Sequence, residues 1–228
     1  MILDIEGSGV SREFFEKEFN IWKHELNINT NEIDNRNVLI IENNGGIYIG
    51  DISSDGKRAG IGLSIYPNKD VHFGNWINDE LNGWGRFYFN DGTRFVGNYF
   101  NNVHSEGELS MGNGSNYNGA FINGKFYGYG EMYYSDDSFY HGQWKNEEKD
   151  NFGIMYYKNG DIYEGIWYKN KQHGYGKTIF NNGEIHEGEY KNGECHGDGT
   201  VYFTNGSTFN GEWVNGQPIK NLNQILPI

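Results

Sequence analysis

A single cysteine, Cys195, stands in 228 residues, so no internal disulfide is available and a reducing compartment is the expectation. Three prolines exclude collagen-like and proline-rich linker architectures. No apolar run approaches the roughly 18 residues of a membrane span, and no N-terminal apolar segment of leader type is present. A cytoplasmic protein is therefore expected. No run of four or more Lys/Arg occurs, and 31 acidic against 18 basic residues leave a net charge of −13. Such a field repels nucleic acid and disfavours anionic lipid. Aliphatic residues are scarce as well. What the chain has instead is 34 glycines and an aromatic content of 17%, the make-up of glycine-punctuated strands rather than of a leucine–valine core.

The glycines recur in register. Gly50, Gly74, Gly97, Gly119, Gly142, Gly165, Gly188 and Gly211 are separated by 24, 23, 22, 23, 23, 23 and 23 residues, the mark of a repeat array. Two residues before them stand Tyr48, His72, Phe95, Tyr117, Tyr140, Tyr163, His186 and Phe209. Two residues after stand Ile52, Trp76, Tyr99, Phe121, Trp144, Trp167, Tyr190 and Trp213. A spacing of two puts aromatic, glycine and aromatic on one face of a strand. A polar turn such as Lys191-Asn192-Gly193-Glu194 follows. A second strand then opens on a Gly-x-Gly pair (Gly174/Gly176, Gly197/Gly199) and closes on an Asn/Asp-Gly turn such as Asn159-Gly160 or Asn182-Gly183, a strong hairpin signal. Each repeat is thus one β-hairpin of about 23 residues. One hairpin is not stable alone in water, so neighbours must stack. The expected fold is all-β: an elongated, curved, single-layer antiparallel sheet of stacked hairpins with a short N-terminal helix.

This pattern resembles the MORN repeat (membrane occupation and recognition nexus), best seen in Tyr163-Glu164-Gly165-Ile166-Trp167 followed by Gly174-Tyr175-Gly176. The resemblance covers residues 38–217: a half-repeat at 38–47, seven repeats and a terminal part at 209–217. Ser105 and Asn151 replace the first glycine of the pair, Asp137 replaces the turn glycine, and the third repeat is one residue short. Local irregularity is therefore expected around 100–107 and 146–153. The resemblance implies a recognition array and not an enzyme. It implies a scaffold or adaptor for helical or extended protein segments held along a trough, in a cytoskeletal, ciliary or membrane-associated assembly. A membrane tether, or a subunit that positions a separate enzyme, is the alternative.

The residues themselves carry no catalytic signature. His173 and His196 share one repeat phase two strands apart, too distant for shared metal ligation. Gly-x-Gly here lies before a strand, not a helix, so it is no phosphate loop. Cys195 is placed in a turn without a histidine base, and neither a cofactor nor a metal is expected.

For partner binding, the anchor glycines (Gly74, Gly97, Gly119, Gly142, Gly165, Gly188 and Gly211) are framework. Aromatics on the opposite face of the second strand are the candidates: Trp84, Tyr88, Tyr129, Tyr133, Tyr156, Tyr175 and Tyr202. Trp144, Trp167 and Trp213 on the glycine face join them. Cross-strand stacking would explain the same tyrosines without a partner, and both faces stay open as binding surfaces. The acidic charge favours basic or amphipathic protein segments, and exposed sheet edges admit a homo-oligomer. In residues 11–26, Phe15, Phe19, Trp22 and Leu26 form one helical stripe with Ser11 as N-cap. This helix is expected to fold over the first sheet edge, or else to dock a partner. A polar linker ends the N-terminal segment (1–36), and residues 218–228 form a capping tail.

Overall fold

The computed structural model describes residues 8–25, 38–41 and 45–219. The chain divides into two compact units, residues 1–112 and 113–228. The first contains α1 (Arg12–Glu25) and strands β1 (Val38–Ile41), β2 (Ile47–Ile52), β3 (Arg58–Ile65), β4 (Val71–Ile77), β5 (Glu80–Tyr88), β6 (Arg94–Phe100) and β7 (Val103–Ser110). The second contains β8 (Asn116–Ile122), β9 (Lys125–Tyr133), β10 (Phe139–Lys145), β11 (Glu148–Tyr156) and β12 (Ile162–Tyr168). It continues through β13 (Lys171–Ile179), β14 (Ile185–Lys191), β15 (Glu194–Tyr202), β16 (Thr208–Val214) and β17 (Gln217–Pro218). Within each unit every strand pairs antiparallel with the next in the chain, giving a single-layer meander of stacked hairpins.

Two kinds of turn alternate. Asn146-Glu147 (φ 52° and 69°), Lys169-Asn170 (49° and 65°) and Asn192-Gly193 (56° and 96°) are two-residue turns with both residues left-handed, the geometry that matches strand twist. The Asn-Gly pairs at the other hairpin ends sit in longer loops. Tyr157 N–H donates to Asp161 O at 2.9 Å and Gly160 N–H to Tyr157 O at 2.9 Å. There only the glycine is left-handed (Gly160, φ 90°). The tight turn thus lies at the end read from the sequence simply as a polar turn, where Asn192-Gly193 is one instance.

The second glycine of each pair stands directly opposite the anchor glycine on both neighbouring strands: Gly153↔Gly165, Gly165↔Gly176, Gly176↔Gly188. A glycine row therefore runs across the sheet, and rings lie on it. A Cβ on Gly176 would come 2.5 Å from Tyr163 Oη, so the missing side chain is the space the ring fills. A bulge between Gly165 and Trp167 turns the Ile166 carbonyl toward that ring, and Tyr163 Oη donates to it at 2.9 Å. Trp167 packs edge-on against Tyr163 at 5.1 Å and its indole N–H donates to Gly153 O at 3.1 Å. Tyr140 and Trp144 repeat the same device one hairpin earlier.

At 146–153 the strand keeps the array's regular pattern: β11 shifts against β10 between Gly142↔Gly153 and Trp144↔Lys149, as β13 does against β12. Asn151 takes φ 65°, beside 58° at Gly174 and 72° at Gly197, because asparagine tolerates the left-handed region, and β11 runs unbroken. At 100–107 the expectation holds: between Gly97↔Gly107 and Tyr99↔His104 β7 advances three residues, where β11 and β13 advance four across the same bulge.

Helix α1 starts at its expected cap, with Phe14 N–H donating to Ser11 Oγ at 3.3 Å. It does not fold over a sheet edge. Phe15 is buried with Val10, Ile47, Ile49, Leu63, Ile65, Val71 and Phe73 in one cluster, flanked by Phe14 and Tyr88. Those strand residues alternate with Tyr48 and His72, so α1 covers the face opposite the glycine row. The first hairpins are richest there in aliphatic residues, and a sheet face offers far more apolar area than an edge. Leu26 lies outside the described residues, as do the side chains of Phe19 and Trp22, the linker 27–37 and the tail beyond 219.

Candidate protein-binding cleft

On the glycine-row face of the C-terminal unit the strands leave a cleft of about 940 Å³. Met155, Thr178 and Tyr190 contribute from the sheet; Tyr134, Tyr157 and Phe180 enter from the longer loops; Lys149, Gln172 and Cys195 come from the opposite ends of the strands. The last three occupy one repeat phase, four residues before Gly153, Gly176 and Gly199. They differ in chemistry where the glycines and rings around them do not.

Side chains from the two ends meet over the sheet. Lys149 Nζ lies 4.5 Å from the Trp167 ring centroid and 5.5 Å from that of Tyr134. Gln172 Nε2 donates to Tyr157 Oη at 3.1 Å. Cys195 is too short to make the same bridge. Burial pushes the Lys149 amine down to about 8, while the ring faces favour its cation.

Cys195 corrects the sequence expectation. It lies on β15 opposite Tyr190, not in a turn, and its Sγ is 3.5 Å from His186 Nδ1. Tyr190 Oη links His186 Nδ1 (2.8 Å) to Thr178 Oγ1 (2.6 Å). Burial raises the thiol and lowers the imidazole, so the pair is held as neutral thiol and neutral imidazole. That is the opposite of an activated nucleophile. Among the described residues no group of three or more His, Cys, Asp or Glu could hold a metal ion.

The tryptophans divide from the tyrosines. Trp144 and Trp167 are 4% and 3% exposed and bonded into the framework, so they offer no accessible surface. Trp213 is half-buried, edge-on to His186 at 5.1 Å. Trp84, Tyr129, Tyr133, Tyr156, Tyr175 and Tyr202 are exposed on the outer face, whereas Tyr88 packs beside the cluster under α1. There a continuous apolar stripe crosses the C-terminal unit by direct strand pairing: Tyr133↔Phe139, Phe139↔Tyr156, Tyr156↔Ile162, Ile162↔Ile179, Ile179↔Ile185 and Ile185↔Tyr202. Its rings pack side by side, Tyr133 tilted on Phe139 at 4.5 Å and Phe139 stacked on Tyr156 at 5.8 Å. Phe139 is half-buried between them, while Tyr133 and Tyr156 remain exposed. Sequence reasoning did not find Lys149, Gln172, Tyr134, Tyr157 or Phe180. The signal was available as the variable position inside an otherwise constant repeat.

No helix among the described residues is long and apolar enough to cross a membrane. The family model described as MORN repeat matches residues 48–71, 72–94, 117–139, 140–162, 163–185, 186–208 and 209–218. It passes over 95–116, where the short repeat and its shortened bulge lie. No curated protein matches the chain. Among solved structures, the SAS-4 (dCPAP) TCP domain of Drosophila melanogaster, in complex with a proline-rich motif of Ana2 (dSTIL), is 10% identical with a TM-score of 0.43, covering 76% of this chain and 88% of that one. The TCP10 domain of Danio rerio CPAP, in complex with a peptide of Danio rerio STIL, is 13% identical with a TM-score of 0.42, covering 77% and 83%.

Proposed function

Because this chain belongs to the MORN-repeat family, we propose that it is a non-enzymatic scaffold whose cleft in the C-terminal unit holds an extended segment of a partner protein. The carrying observation is the cleft itself: an apolar floor, with one aromatic residue and one chemically variable residue from each successive repeat. A helix is about 10–12 Å across. The Lys149–Tyr134 and Gln172–Tyr157 bridges span the space it would need, so an extended chain fits with less displacement. Recognition would come from the variable column: an amine at Lys149, an amide at Gln172 and a small soft group at Cys195. Asp136, Asp161 and Glu194 around the cleft outnumber Lys149 and Lys158, and with the net charge of −13 favour a segment carrying basic residues. A cytoskeletal, ciliary or membrane-associated assembly is the setting this reading suggests.

Panning a random peptide display library on the full chain tests it, with Cys195→Trp to fill the open part of the cleft. Selected peptides should lose at least about tenfold in affinity for the filled variant, a step of ~1.4 kcal/mol. Peptides that bind both proteins equally would remove the cleft from the function. Salt-resistant flotation with anionic vesicles would favour a membrane tether instead.

A further inference from the structure

The outer face of the N-terminal unit carries its own occupant. Ile47, Ile65, Val71 and Tyr88 stand opposite one another across four strands, and Phe15 of α1 is buried with the first three. The same repeat phase in the C-terminal unit builds the stripe that runs from Tyr133 to Tyr202. Ile47 and Ile65 are fully buried beneath the helix, whereas Tyr133 is 52%, Ile179 37% and Tyr202 42% exposed, with Phe139, Ile162 and Ile185 between them half-buried. One chain thus presents one surface device twice, once covered and once bare.

We propose that the bare stripe docks an amphipathic α-helix of a partner protein whose polar flanks are basic. The occupant is helical because α1 is what this sheet face takes at the equivalent positions. Its length follows from the stripe: seven residues on seven strands span six gaps of about 4.8 Å, roughly 29 Å, or about 19 helical residues. Its charge follows from the flanks. Beside the covered stripe stand Arg86 and Arg94, and α1 carries four glutamates against three Lys/Arg. Beside the bare stripe, the next row across the strands holds Glu131, Glu164 and Glu187 against Lys177 alone. Glu189 and Asp198 lie beyond, both exposed. Apolar contact would hold the helix, and the carboxylates would set its polarity and attract it from a distance. A second copy's α1 fits less well, because it is acidic and its Phe15 is already buried in its own unit.

The test uses the full chain and three synthetic peptides in fluorescence anisotropy. The first is a 20-residue amphipathic helix with Lys/Arg flanks, the second shares its apolar face with Glu flanks, and the third is the first with a central proline. The basic helix should bind, and more weakly as salt is raised. It should lose at least about tenfold against Tyr156→Ser/Ile179→Ser, both exposed positions, at a peptide concentration and temperature where the variant's circular dichroism matches the wild type's. Loss of cross-strand pairs lowers its melting temperature without unfolding it. Glu164→Lys/Glu187→Lys should weaken it and flatten its salt dependence. Cys195→Trp, on the other face, should leave it untouched, so this proposal and the cleft reading fail separately. Equal binding of all three peptides, or indifference to the serine variant, would overturn the proposal. Tighter binding of a peptide spanning residues 11–26 would overturn it in favour of a second copy of this chain.

Discussion

Alanine at position 176 sets two opposed effects against each other. Gly176 has an ordinary negative-φ backbone, since it is not among the positive-φ glycines. Replacing it in a strand should therefore gain the ~0.5–1 kcal/mol by which glycine is disfavoured on entropic grounds. Against that, the new Cβ would meet Tyr163 Oη at 2.5 Å and its Cε2 and Cζ at 2.7 Å. The ring cannot yield cheaply: Tyr163 is fully buried, donates to Ile166 O and packs edge-on against Trp167. Overpacking costs about 1–3 kcal/mol, and a lost hydrogen bond about 1 kcal/mol more. Gly176→Ala should therefore destabilise by about 2–3 kcal/mol. Tyr163→Leu deletes Oη, Cζ and Cε2 while keeping an apolar side chain, so in that background Gly176→Ala should cost nothing or stabilise slightly. Urea unfolding followed by tryptophan fluorescence reads the region directly, because Trp167 is bonded to the same glycine row. Equal destabilisation in both backgrounds is the contrary outcome. It would mean that the glycine row serves the backbone and not the rings.

Three further outcomes are expected. His72 is held down to about 3 by burial, with the Arg58 charge adding to it. The unfolded state therefore binds the extra proton first, and stability falls as pH drops from about 6.5 toward 3, by on the order of 4 kcal/mol. Neither His72 nitrogen is hydrogen-bonded, so His72→Phe should flatten that acid limb in pH-dependent unfolding. For Lys149, lowered to about 8, the unfolded chain again binds more protons, now between 8 and 10.5. Wild type should gain ~2 kcal/mol over Lys149→Met between pH 7 and 9.5, and parallel profiles would contradict this. Above pH 10 the buried tyrosines, raised by burial, reverse the trend as the unfolded chain ionises first. Finally, Asn151→Ala should cost about 1–2 kcal/mol for left-handed backbone, while Asn151→Gly changes the melting temperature little.

The repeat was legible because it rests on local rules. A 23-residue period, alternating aromatic and glycine, and polar turn residues each act within a few residues of chain, so the hairpins and the glycine face could be read from spacing, while the register that sets glycine opposite glycine came from the structure. Even Asn151 follows such a rule once its backbone angle is known. Tertiary structure decided which turn was tight, since both hairpin ends carry polar residues and glycine. It also decided that Trp144 and Trp167 are framework, because their carbonyl acceptors lie on a neighbouring hairpin, 14 residues away in the chain. The cleft column of Lys149, Gln172 and Cys195 was likewise invisible as a site: its partners Tyr134, Tyr157 and Phe180 come from loops at the far ends of other strands. Composition and period marked α1 as amphipathic, but an apolar helical stripe does not say what it will cover. The aliphatic face of the first hairpins supplied that answer, and the same face in the C-terminal unit, aromatic and acid-flanked, was left open.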